Sequence, residues 1–148
     1  MPYKDSEVEI LLVEDNKSDA EMAIRALTKN KVSDKIVHLN DGAEALEFIF
    51  CTGKYAERDI RQLPKLILLD LKMPKVNGIE VLERLKSDPR TMRVPVVILT
   101  SSKENPDLEK CYAKGANSYI VKPVEFVAYV KAVAEMGNYW TSLNQLPL

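Results

Sequence analysis

Three stretches of the chain are apolar without interruption: Ile10 to Val13, Leu66 to Leu69 and Val96 to Leu99. A strand with one wet face alternates apolar and polar residues. An unbroken run of branched side chains, bounded by turn or charged residues, instead reads as a strand buried on both faces, as in a parallel sheet. Lys35 to Leu39 and Ser118 to Val121 are weaker strands of the same series. Between the strands, apolar residues recur at helical spacing. Ala20, Ala23, Ile24 and Leu27 keep the i, i+3, i+4, i+7 pattern of an amphipathic helix, and Ser18 with Glu21 resembles its capping box. Leu46, Ile49 and Phe50 form a second stripe, entered through Asp41 with Glu44 three positions on. Ile79, Leu82 and Leu85 make a third, capped by Asn77 and closed by Asp88-Pro89. A fourth helix opens at Asn105-Pro106, because proline at the first helical position gives up only an amide that has no partner there. A fifth begins after Pro123.

The order βαβαβαβαβα predicts an α/β fold: a five-stranded parallel sheet flanked by five helices, with right-handed connections. Ligands of such sheets bind outside the carboxyl ends of the strands. Two segments exceed a minimal version of this fold. Thr52 to Lys65 is a long charged connection, and Gly137 to Leu148 carries Tyr139, Trp140, Leu143 and Leu146 past the expected end of the last helix. Both read as extensions of one domain spanning residues 1–148, without repeats or low-complexity tracts.

Composition narrows the function. With 148 residues, 46% hydrophobic and 29% charged, the chain has the balance of an ordinary globular domain, and roughly 68–70% of its surface is expected to be buried on folding. A formal net charge of −1 supplies no field to hold nucleic acid or an anionic membrane. No apolar run approaches the ~20 residues of a membrane span, and Met1 to Glu7 has neither the basic nor the apolar region of a signal peptide. Cys51 and Cys111 lie far apart and His38 is the only histidine, so no zinc-ligand spacing exists. Reduced, packed thiols and a cytoplasmic setting are expected.

The chemistry collects where the strands end. Glu14 and Asp15 follow the first strand, Asp70 ends the third, Thr100 the fourth, and Lys122-Pro123 follows the fifth. A parallel sheet brings all of them to one edge. Three clustered carboxylates repel one another unless a cation is present, and oxygen ligands without His or Cys suit a hard ion such as Mg²⁺. Lys122 offers a point charge and Thr100 a hydroxyl for phosphoryl oxygens. Phosphoryl transfer consists mostly of positioning and charge neutralisation. A carboxylate can itself be the nucleophile, and Asp70, at the end of a central strand, is the candidate.

These residues resemble the receiver domains of two-component response regulators. The likeness rests on Leu12-Val13-Glu14-Asp15-Asn16, on Leu69-Asp70-Leu71-Lys72-Met73-Pro74 with Gly78, on Leu99-Thr100-Ser101, and on Tyr119-Ile120-Val121-Lys122-Pro123. It covers about residues 8–137. It implies a doubly wound, flavodoxin-like (CheY-like) fold with strand order 2-1-3-4-5. It further implies that Asp70 accepts a phosphoryl group from a histidine kinase or a small donor, with Mg²⁺ held by Glu14, Asp15, Asp70 and the backbone carbonyl of Lys72. Thr100 and Lys122 then contact the phosphoryl oxygens, and the proline after Lys122 is in a cis peptide. Thr100 shifts toward the phosphoryl group, Tyr119 turns inward, and the face of the fourth helix, fifth strand and fifth helix changes. Lys72 and Ser102 match positions that tune phosphoryl lifetime. Such a chain catalyses only its own phosphorylation and dephosphorylation.

The Thr52 to Lys65 segment and the Tyr139-Trp140 tail resemble stand-alone receivers that partner bacterial phytochrome-type histidine kinases. Tyr129, Val133, Met136 and Trp140 lie beside a second stripe of Val127, Val130 and Ala134. One stripe is expected to pack on the sheet, leaving the other for a partner or a second copy of the chain. A nucleotide module is disfavoured, because Glu14 and Asp15 repel a phosphate where such a fold needs backbone amides. An aspartyl phosphatase needs a second acid where Lys72 stands. A receiver fold acting as a phosphorylation-independent interaction module is the remaining alternative.

Overall fold

Every residue of Ile10–Val13, Leu66–Leu69 and Val96–Thr100 is buried, and these runs are strands β1, β3 and β4 of the computed structural model, which describes residues 8–146. β2 (Ile36–Leu39) and β5 (Ser118–Val121) are the half-buried edges. All neighbouring pairs are parallel, in the order β2-β1-β3-β4-β5. The helices are α1 (Lys17–Lys29), α2 (Gly42–Phe50), α3 (Gly78–Ser87), α4 (Asn105–Ala113) and α5 (Phe126–Asn138).

The unbroken apolar runs serve two cores because successive side chains leave a strand on opposite faces. Leu11, Val13, Ile67, Leu69, Val96 and Ile98 pack with Ala45 and Phe48 of α2, Leu82 and Leu85 of α3, and Cys111 of α4. Ile10, Leu12, Leu66, Leu68, Val97 and Leu99 pack with Ala23 and Leu27 of α1 and with Tyr129 and Val133 of α5. Burial of each of the Val, Leu, Ile and Phe side chains stabilises the fold by about 1.5–3 kcal/mol before entropy is counted. α4 is anchored least, since Cys111 is its one buried residue.

The fold class expected from the sequence is the fold observed. Local details differ. α1 is capped by Asn16, whose side chain accepts from the Asp19 amide at 3.0 Å, and not by Ser18. The helix already begins at Lys17, so Ser18 lies inside its first turn, past the extended position a cap requires. Pro106 is the second rather than the first residue of α4, a position whose amide also has no partner within the helix. No peptide bond is cis among the described residues, so the cis bond expected before Pro123 is absent; trans is the intrinsically favoured form even before proline.

The two extensions are structured. In the long connection a 3₁₀ turn at Gly53–Tyr55 sets the buried Tyr55 edge-on to Phe48, with ring centroids 5.1 Å apart, and its hydroxyl donates to Glu44 at 2.8 Å. The tail continues α5 directly through a π-helical turn at Tyr139–Leu143. Tyr129, Val133 and Met136 are buried, whereas Phe126 and Val127 stay exposed. The expectations for Met1 to Glu7 and for Pro147 and Leu148 lie outside the described residues. No helix among the described residues is long and apolar enough to cross a membrane.

Leu68 is fully buried in the middle of β3. Leu68→Ala is therefore expected to cost about 2–5 kcal/mol, read as a lower midpoint of urea unfolding with an unchanged slope; an unmoved midpoint contradicts this account of the core.

Candidate functional site

The chain needs only three residues to pass from β1 into α1, and Glu14 and Asp15 occupy that turn. The turn is tied down on both sides. The Glu14 amide donates to the Leu39 carbonyl at 3.0 Å, and the Glu14 carbonyl lies 2.8 Å from His38 Nε2, which must donate because a carbonyl only accepts. Glu14 is buried, and its carboxylate accepts from the Asn16 amide at 3.1 Å. Asp15 is exposed at the rim.

Asp70 follows β3, with its amide on the Val13 carbonyl at 3.1 Å. One carboxylate oxygen, Oδ1, accepts from the Leu71 amide at 2.8 Å, while Oδ2 lies 3.7 Å from Lys122 Nζ. The loop beyond turns tightly back so that the Gly78 amide donates to the Leu71 carbonyl at 2.8 Å. A Cβ at Gly78 would lie 2.2 Å from the Asp70 carbonyl oxygen, so only glycine permits this approach. Thr100 is buried at the end of β4, beside β3 in the sheet. Its carbonyl accepts from the Lys122 amide at 2.7 Å, and its Oγ1 faces the Ser102 amide at 3.4 Å.

Lys122 crosses the cluster. Its Nζ lies 2.7 Å from Glu14 Oε1 and 2.9 Å from Asp19 Oδ2, closer than to Asp70. Burial by itself lowers an ammonium pKa, but the hydrogen bonds to Asp19 and Glu14 and the charge of Asp70 outweigh it and raise that of Lys122. For Glu14 the balance runs the other way. Burial, aided by the charge of Asp70, pushes its carboxyl up from 4.5 to about 7, because one ammonium divided among several carboxylates cannot compensate them all.

One carboxylate oxygen from each of Glu14, Asp15 and Asp70 lies within 4.8 Å of the other two. Hard divalent ions hold oxygen ligands at about 2.0–2.6 Å, so ligands on opposite sides of one ion stand roughly 4–5 Å apart. The three acids therefore fit a single divalent cation. Lys72 is exposed beside them and lines, with Asp15, Met73, Asn77 and Asp107, an open cleft of about 360 Å³. Tyr119 is half-buried, and its hydroxyl donates to the Ser102 carbonyl at 2.9 Å while Ser102 Oγ donates to Asp107 on α4 at 2.6 Å.

Glu14, Asp15, Asp70, Thr100 and Lys122 thus lie at the carboxyl ends of strands β1, β3, β4 and β5, at one rim of the sheet, with Lys72 beside them. Asp19, His38 and Asp107 were missed. Asp19 had a signal: it stands one helical turn after Asp15, in the first turn of a helix whose start must face the strand ends. Asp107 and His38 had none, because their partners are contributed by other elements.

The Response regulator receiver domain family model matches residues 10–134, and the chain belongs to that family. "Probable methanogenesis regulatory protein FilR2" of Methanothrix harundinacea is 39% identical over 138 residues, covering 93% of this chain and 86% of that protein. The phosphorylated cyanobacterial phytochrome response regulator RcpA superposes with a TM-score of 0.88 at 38% identity, over 95% of this chain and 99% of that one. The Mn²⁺-bound form of response regulator Rcp1 superposes with a TM-score of 0.87 at 34% identity, over 95% and 99%.

Glu14 binds its proton more tightly folded than unfolded. Between pH 4.5 and about 7 the folded state carries more of that proton, and this group weakens folding as pH rises. A divalent cation held by Glu14 would reverse the effect, because it would replace the proton. Excess cation is expected to raise Tm more at pH 8 than at pH 6; a shift of equal size at both contradicts the assignment of Glu14 as a ligand.

Proposed function

We propose that Asp70 is the phosphoryl acceptor of this receiver domain, and that the chain signals through the face formed by α4, β5 and α5. The observation that carries this reading is the asymmetry of the Asp70 carboxylate, with one oxygen fixed by a backbone amide and the other turned toward Lys122. Oδ2 attacks phosphorus, the P–N bond of a phosphohistidine or the P–O bond of a small donor breaks, and an acyl phosphate forms on Asp70. Glu14, Asp15, Asp70 and the Lys72 carbonyl would hold Mg²⁺, which would supply the positive charge that offsets repulsion between carboxylate and phosphoryl group. Lys122 and the Thr100 hydroxyl balance the phosphoryl oxygens. The chain catalyses this step only on itself.

Thr100 and Tyr119 are the proposed switch. Drawing the Thr100 hydroxyl toward a phosphoryl group removes the acceptor beside the Ser102 amide, in the loop where the Tyr119 hydroxyl is bonded. β5 is half-buried and α4 has one buried residue, so these two elements of the face are held by few buried side chains. The response is a shift between two conformations, with a coupling of about 1–3 kcal/mol.

The partner is a sensor histidine kinase, of phytochrome type given the likeness to RcpA. The exposed Phe126 and Val127 of α5, with Tyr139 and Leu143 beyond it, suit a second copy of the chain. A net charge of −1 argues against nucleic acid as a target. A cytoplasmic setting fits a member of the receiver-domain family.

Incubation with a small phosphodonor and Mg²⁺ is expected to add one phosphoryl mass to the wild type and none to Asp70→Asn. No gain in the wild type would leave the phosphorylation-independent interaction module as the function. For self-association, mass in solution should fall toward the monomer in Val127→Asp, a change at the exposed surface; a monomer in both proteins removes that part of the proposal.

A further inference from the structure

Asp19 belongs to none of the roles above, yet it makes one of the two shortest contacts to Lys122. Its place is built. Asp19 sits in the first turn of α1, and the hydroxyl of the buried Tyr129 on α5 donates to its backbone carbonyl at 3.1 Å. The carboxylate itself is partly exposed, at 25%, against 2% for Glu14 and 11% for Lys122. With Nζ held 2.7 Å from Glu14 and 2.9 Å from Asp19, the ammonium stops 3.7 Å from Asp70, beyond hydrogen-bond distance.

We propose that Asp19 is a positioning residue that holds Lys122 on the α1 side of the site, away from Asp70, until a phosphoryl group competes for it. This rests on the reading of Asp70 as phosphoryl acceptor. A ligand shifts an equilibrium only by its differential interaction with the two states. An ion pair made in the unphosphorylated state and given up in the phosphorylated one therefore opposes phosphorylation. Asp19 sets how strongly the phosphoryl group must pull, and Lys122 is the group through which it acts. The same movement loosens the contact between Lys122 and the first turn of α1, the turn to which Tyr129 of α5 is bonded.

The test uses the full-length protein and Mg²⁺ with beryllofluoride, a non-covalent phosphoryl analogue. Asp19→Asn is expected to bind the analogue about tenfold more tightly than the wild type, the scale of one hydrogen bond to a charged group. Asp19→Glu restores a carboxylate and should return affinity toward the wild-type value. Glu21→Gln removes an exposed carboxylate from the same helix and is the control for simple loss of negative charge; it should leave affinity within about twofold, as expected of a site sharing no partner with Lys122. In the unliganded protein, the Lys122 side-chain ammonium resonance should shift in Asp19→Asn and not in Glu21→Gln. Equal or weaker binding by Asp19→Asn, or a Glu21→Gln effect of the same size, overturns the proposal while leaving Asp70 as acceptor. A wild type that binds no Mg²⁺-beryllofluoride at all overturns the acceptor reading and this proposal with it.

Discussion

A nearly buried ammonium divided among three carboxylates is the interaction on which this site depends. Lys122 lies within 4.0 Å of Glu14, Asp19 and Asp70, and Asp15 adds a further negative charge at the rim. Charges removed from water are tolerated only when paired and hydrogen-bonded. Here the pairing is incomplete by construction: one positive charge faces an excess of negative ones. The shortfall raises the pKa of the buried Glu14 carboxyl and leaves a cluster of acids that suits an added positive charge.

The scaffold around this charge imbalance is uneven in a useful way. Glu14 and Asp70 leave the two innermost strands, whose residues are buried throughout, so their backbones are fixed by the ladder and by both cores. Lys122 instead leaves β5, an edge strand with every residue half-buried. The acids are thus attached to the most rigid part of the molecule and their counter-charge to one of the least rigid. The neighbouring α4 is anchored by a single buried residue, Cys111. The bond chain from Tyr119 through Ser102 to Asp107 runs across this same region.

Much of this was legible from residue order. The unbroken apolar runs marked β1, β3 and β4, the helical stripes and cap residues marked five helices, and the position of each polar residue just after a strand assigned it to one edge. Less legible was whatever depends on contact between distant elements. The α1 cap fell on Asn16 because helix ends are decided by which side chain reaches a free amide, and Ser18 and Asn16 are both good caps in isolation. The Thr52 to Lys65 segment reads as a charged loop, yet Tyr55 docks on Phe48, a contact that exists only once α2 is folded.

What the order of residues determined by itself was the fold and the list of groups at the strand ends, because the periodicity of apolar positions and the geometry of parallel strands are local rules repeated along the chain. Only the tertiary structure decided how those groups share charge: that Lys122 rests between Glu14 and Asp19, that Glu14 is buried while its neighbour Asp15 is not, and that His38 holds the Glu14 carbonyl. Coulomb and desolvation energies depend on distances of a few ångströms and on the surrounding dielectric, and those are properties of packing, which spacing along a chain does not encode.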